Sequence, residues 1–147
     1  MERGLRSLYR RVSMTPLRIA PLLALAAGCA ALPARADTDC ILRELATARG
    51  ISDREPVDRT TRFLAERDRV HAFLRVDCSR VDADRPAFQI RWIFNGRIMR
   101  TRDIAVGVSP NWRAWDVMPA VPGQGLVQLF DAEGTLLAEE AFTTSLQ

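Results

Sequence analysis

The stretch F-Q-I-R-W-I-F-N-G-R-I-M-R-T-R-D-I, residues 88–104, decides the fold. Phe88, Ile90, Trp92 and Phe94 fall on one side of an extended chain, and Gln89, Arg91 and Ile93 on the other. After Asn95-Gly96, Ile98, Arg100, Arg102 and Ile104 alternate with Met99, Thr101 and Asp103. Two period-two runs joined by Asn-Gly predict a β-hairpin, because both central residues of a type I′ turn need positive φ, which Asn and Gly tolerate. The pattern of four large apolar residues on one face makes this hairpin the centre of the core.

Outward from it, the same period recurs. Arg69–Cys78 (R-V-H-A-F-L-R-V-D-C) turns Val70, Ala72, Leu74 and Val76 one way and His71, Phe73, Arg75 and Asp77 the other, as a half-buried strand does. Asn111–Met118 is an aromatic-rich strand, Leu126–Phe130 a short apolar one, and Thr135–Thr143 the last. Gly107–Asn111, Pro119–Gly125 and Asp131–Gly134 are turn segments, and Ser79–Pro86 is a polar loop. Asp53–Pro56 reads as a turn or strand exit, and Asp58–Asp68 as a charged loop with a helical turn near Phe63 and Leu64. Residues 41–50 are ambiguous: Ile41, Leu42 and Leu45 share a helical face, yet the run also alternates as a strand, and the all-β remainder favours the strand. About seven strands with turn signals every 8–12 residues give an all-β, immunoglobulin-like antiparallel sandwich.

The chain has 147 residues, enough for one domain, and a formal charge of +3. That charge belongs to the first 36 residues, which carry six arginines (Arg3, Arg6, Arg10, Arg11, Arg18, Arg35) and one acid, Glu2. Residues 37–147 hold fifteen arginines against seventeen carboxylates, a net of −2, which argues against a nucleic-acid partner, since phosphate binding needs a cationic face. Residues 1–36 read as a signal peptide: arginines, then the apolar run Ile19–Leu32, then Pro33-Ala34-Arg35-Ala36 with small residues at −3 and −1 of a cut after Ala36. Met14 offers a shorter start. Leu25-Ala26-Ala27-Gly28-Cys29 has the form of a lipoprotein box, so membrane attachment enters only if Cys29 is lipidated. Residues 37–147 would then be one domain, periplasmic or secreted. It keeps two cysteines, Cys40 opening the first strand and Cys78 closing the second, ends that are neighbours in an antiparallel pair and can form a disulfide.

Five segments in this order, R-E-P-V-D (Arg54–Asp58), R-W-I-F-N-G (Arg91–Gly96), W-R-A-W (Trp112–Trp115), P-G-Q-G (Pro122–Gly125) and F-D-A-E-G-T-L-L (Phe130–Leu137), resemble the bacterial domain-of-unknown-function family numbered 2914. The resemblance covers nearly all of residues 41–143. It departs at Ile90, where the family usually has His, and in lacking a Trp near Pro122–Gly125. It implies an exported β-sandwich-like domain and brings no activity, ligand or catalytic residue.

The residues themselves show no nucleophile–base set. His71 is the one histidine, Glu139 and Glu140 are adjacent and so point to opposite faces of a strand, and there is no C-x-x-C. No metal or cofactor is expected. The candidate surface is Arg91, Arg113 and Trp115, a platform on which Trp stacks against sugar rings and Arg binds carboxylate or phosphate. Structurally, the same arginines could pair with Glu55 or Asp116 and lie over tryptophan. Arg54 and Glu55 read as an ion pair shaping a loop exit. The expected function is non-catalytic binding of a cell-envelope polymer or a protein partner. The alternatives are a small carbohydrate-active hydrolase and a purely structural domain assembling through a strand edge.

Overall fold

The computed structural model describes residues 38–146. The leader, with Met14, Cys29 and the cut after Ala36, lies outside them. The described chain forms nine strands: β1 (Asp39–Ser52), β2 (Glu55–Arg59), β3 (Arg62–Leu64), β4 (Arg69–Arg80), β5 (Phe88–Phe94), β6 (Arg97–Ile104), β7 (Ser109–Pro119), β8 (Gly123–Asp131) and β9 (Leu136–Ser145). They make two packed sheets, ordered β2-β1-β4-β7 and β3-β9-β8-β5-β6. Every pairing is antiparallel except β3 with β9. The chain crosses between sheets from β2 to β3, β3 to β4, β4 to β5, β6 to β7 and β7 to β8, the last three being the crossings of an immunoglobulin-like sandwich.

The β5 arm and the turn of the 88–104 hairpin are as the alternation requires, but a bulge in the β5–β6 ladder puts Ile98 on the outer face opposite Ile93, apart from the inward Arg100, Arg102 and Ile104. Phe88, Ile90, Trp92 and Phe94 are all buried, and Asn95 and Gly96 have φ of 49° and 76°. Trp92 fills the centre of the sandwich. Its ring and those of Phe63 and Phe94 each stand nearly perpendicular to the Phe142 ring, at centroid distances of 6.3, 5.7 and 5.4 Å. Burying each such ring is worth about 1.5–3 kcal/mol. Gly125 makes room for this cluster: a Cβ there would stand 2.1 Å from the Phe142 ring. At Gly123, a Cβ would stand 2.0 Å from the Asn95 carboxamide. That carboxamide accepts from Gln124 N at 3.0 Å and donates to Pro122 O at 3.0 Å, pinning the hairpin turn to the β7–β8 connection. The Pro-Gly-Gln-Gly segment is therefore shaped by close packing.

Residues 41–50 are strand throughout, inside β1. A bulge between Leu42 and Glu44 explains their helical look. It shifts the pleat by one, so that Leu42 and Leu45, three apart, both pack on the core. Cys40 and Cys78 are directly opposite in the β1–β4 ladder and are disulfide-bonded.

Nine strands stand where about seven are expected, because β2 and β3 lie in segments read as turn and loop, and those two readings need correction. The turn at 53–56 is shorter than read: only Asp53 and Arg54 turn, with φ of 50° and 62°, and Glu55 already begins β2. The segment 58–68 is not a loop with a helical turn. It begins by completing β2 and its middle is β3, whose Phe63 is buried. Pro56 is compatible with β2 because β2 is an edge strand, where one ladder side needs no donor.

Candidate binding surface

Along β7, Trp112 and Ala114 pack against the core, so Arg113 and Trp115 face out of the β2-β1-β4-β7 sheet. Trp115 is 39% exposed. Across from it in the ladder is Phe73 on β4, which also points outward but has no exposed surface. Arg75 lies over the Phe73 ring at 5.8 Å.

What holds that cover is the β1–β2 hairpin. Glu55 carboxylate oxygens lie 2.7 Å from Arg75 Nη2 and 2.6 Å from Arg113 Nε. In the ladder, Ala48 pairs with His71 and Glu44 with Arg75, while Glu55 sits opposite Ser52, eight residues further along β1 than Glu44. In a straight strand that is roughly 26 Å, beyond the reach of an arginine and a glutamate together. The tip of the hairpin is therefore bent back over the outer face of the sheet. Arg59 pairs with Glu44, and Arg75 reaches the other Glu44 oxygen at 3.6 Å. The result is an alternating row, Arg59, Glu44, Arg75, Glu55, Arg113, laid over Phe73 and the fully buried Ala48, with Trp115 at its open end. Glu55 is thus a structural ion-pair partner as expected, but its arginines are Arg75 and Arg113. Arg54 stands exposed at the turn with no ion pair among the described residues.

Arg91 is elsewhere. It faces out of the opposite sheet, from β5, with its guanidinium 4.4 Å from the centre of the Phe130 ring. The structure brings Arg113 and Trp115 together and leaves Arg91 on the other side of the sandwich.

A second polar group, at the margin between the sheets, carries no sequence motif. Asp116 on β7 points inward and its side chain is fully buried. It accepts from Trp92 Nε1 at 2.8 Å, from Arg102 Nη1 at 2.7 Å, and from Arg100 Nη2, which also donates to Val117 O at 2.7 Å. Arg100 and Arg102 come from β6, the edge strand of the other sheet, opposite Trp92 and Ile90. The sequence offers Arg91 and Arg113 either Glu55 or Asp116 as partner: Arg113 takes Glu55, whereas Asp116 is held by Arg100 and Arg102. The available signal is the alternation of Arg100 and Arg102 with polar Thr101 and Asp103, which places both arginines on the inward side of an edge strand. Burial pushes the Asp116 carboxyl up, but the hydrogen bonds from Trp92, Arg100 and Arg102 outweigh it and hold the group below its ordinary value. The clamp joins β7 to β6, one edge strand from each sheet.

Near the disulfide, an open depression of about 390 Å³ is lined by Ile41, Val108 and Pro110. The carboxylates at its rim are engaged: Asp39 accepts from Ser79 Oγ at 2.6 Å and Asp77 pairs with Arg43 Nε at 2.6 Å. His71 is half-buried on β4, and burial first, then the charge of Arg69, push its imidazole below the usual range. Among the described residues, no three His, Cys, Asp or Glu side chains are grouped to hold a metal ion. No family model matches this chain, and no curated protein matches it.

Proposed function

We propose that this domain is a non-catalytic binding module of the cell envelope, docking an envelope polymer through the outer face of the β2-β1-β4-β7 sheet. The observation that carries the reading is Trp115, an indole 39% exposed beside an arginine whose position is set by Glu55. A stacking plane on a rigid strand is suited to a sugar ring, and preorganisation reduces the entropy lost on binding. The resemblance to an exported family and the Cys40–Cys78 disulfide support work outside the cytoplasm. Cosedimentation with purified envelope polysaccharide tests the proposal. Trp115→Ala should reduce binding about tenfold or more, in line with the loss of a stacking anchor, while the melting temperature stays near wild type. Arg85→Ala, at an exposed position in the β4–β5 loop, should bind as wild type. Equal binding by Trp115→Ala and wild type would remove the reading.

A further inference from the structure

The β6-β5-β8-β9 face opposite Trp115 carries an unusual load. An antiparallel sheet with one side on the core ordinarily turns polar residues to water on the other. Here Ile98, Ile93, Leu126 and Ala141 pair in one continuous outward row across four strands. Ile98 is 61% exposed, and Met99 beside it, at a bulge, 52%. The next row is Thr101, Arg91, Gln128 and Glu139, and the row beyond brings Phe130 and Leu136 together. That last row opens with Asp103 and Gln89, hydrogen-bonded to each other at 3.0 Å, so the charged row has a full apolar row on one side and the apolar pair Phe130 and Leu136 on the other.

We propose that this face packs on a second copy of the same chain, and the charges select both the partner and the geometry. A two-fold axis running along β8 turns the sheet over and sets β5 of one copy above β9 of the other, row on row. Arg91 then meets the partner's Glu139, and the partner's Arg91 meets Glu139. Ile93 sits over the small partner's Ala141, Leu126 over Leu126 and Phe130 over Phe130. A two-fold axis across the strands, through the charged row, would instead set Arg91 on Arg91 and Glu139 on Glu139. The arrangement is the aligned face-to-face packing of two sheets, about 30° apart because each is twisted, with the ion pairs flanked on one side by the Ile93, Leu126 and Ala141 row and on the other by Phe130 at the axis, where Gln89 lies over the partner's Leu136. The free edge of β6 is a poorer docking element, because it is bulged at Met99 and turns Arg100 and Arg102 inward, both of which discourage strand addition. The inference is independent of the polymer-binding proposal, which concerns the other sheet. It leaves the two Trp115 faces of a dimer pointing away from each other, a bivalent arrangement.

Sedimentation equilibrium on the purified protein tests it. The wild-type mass should rise from one chain to two with concentration. Leu126→Arg, at an outward position, should remain one chain at concentrations where wild type is two. Arg91→Glu and Glu139→Arg, each alone, should dimerise about tenfold more weakly or worse, since each sets like charges together twice. An equimolar mixture of these two should regain a two-chain species, because the introduced glutamate of one meets the introduced arginine of the other and the remaining native pair is also opposite in charge. A wild-type mass of one chain at every concentration overturns the proposal. So does Leu126→Arg dimerising like wild type, or a mixture of two variants that melt normally yet stay single.

Discussion

Asp116 shows how one buried carboxylate can close a sandwich. It satisfies the indole N–H of the largest core side chain and pairs with two arginines from the facing sheet. Removing the charge strands these donors. Asp116→Asn should cost about 1–3 kcal/mol in urea unfolding followed by tryptophan fluorescence. Breaking a fully buried ion pair costs more, about 3–5 kcal/mol, but Arg100 and Arg102 are 36% and 58% exposed and can turn to water. The same group sets the acid limit. Its folded value lies below the ordinary 3.8, so the stability it contributes is fully present above about pH 4 and is lost as pH falls through the folded value. Asp68 acts in the same direction, lowered chiefly by the Leu64 N–H that it accepts at 2.8 Å. His71 is a base with a lowered value. The unfolded chain takes up its proton near the ordinary 6.5 and the folded chain resists, so stability declines as pH falls below that point. Chemical denaturation from pH 8 to pH 3 should therefore show two acid steps. His71→Gln should erase the upper one and Asp116→Asn should shrink the lower.

At the scale of elements, the β1–β2 hairpin is the feature with the clearest internal tension. Its tip covers Phe73 through exposed ion pairs, each worth about 0–1 kcal/mol and screened by salt. Glu55→Gln should lower global stability by less than about 1 kcal/mol. It should nevertheless raise amide hydrogen exchange across residues 50–59, because opening the tip exposes only a few residues and need not unfold the sandwich. Added salt should do the same to wild type and much less to the variant. This element also marks where the sequence stops being legible. Residues 88–96 can be read directly, since strict alternation and Asn-Gly specify face and turn together, whereas the bulge at Met99 turns Ile98 to the outer face against the alternation. The β1–β2 turn, Asp53-Arg54, uses positive φ without glycine, so no turn signal announces its type. The fold-back depends on Glu55 meeting arginines twenty residues and more away, which no local pattern encodes. Arg113 and Trp115 fall on one outward side as the sequence predicts, because β7 alternates cleanly. Grouping Arg91 with them fails because period two fixes a residue's face but not the sheet to which its strand belongs.

Over the whole molecule, two devices hold strands whose partners are distant in sequence: the Asp116 clamp at one margin, and the Cys40–Cys78 bridge at the start of β1. The pairing of the cysteines is legible because both lie at strand ends that an antiparallel ladder brings together. The bridge spans a sequence separation of 38, and that segment contains the fold-back hairpin and β3. Closing a loop of that size removes unfolded-state entropy worth about 4 kcal/mol in the chain-entropy model. The native ladder around the cysteines does not need the bond to stay paired, since β1 and β4 remain paired from Ile41 to Ala48. Cys78→Ser should thus lose about 2–4 kcal/mol, chiefly through the unfolded state. That location dictates the kinetics. A less constrained unfolded chain refolds more slowly and exposes more surface, so the refolding rate should fall, the urea m-value should rise, and the unfolding rate should change little. Stopped-flow measurements across urea concentrations read all three. If unfolding accelerates while refolding is unchanged, the bridge instead acts in the native state, restraining the free end of β1 against fraying.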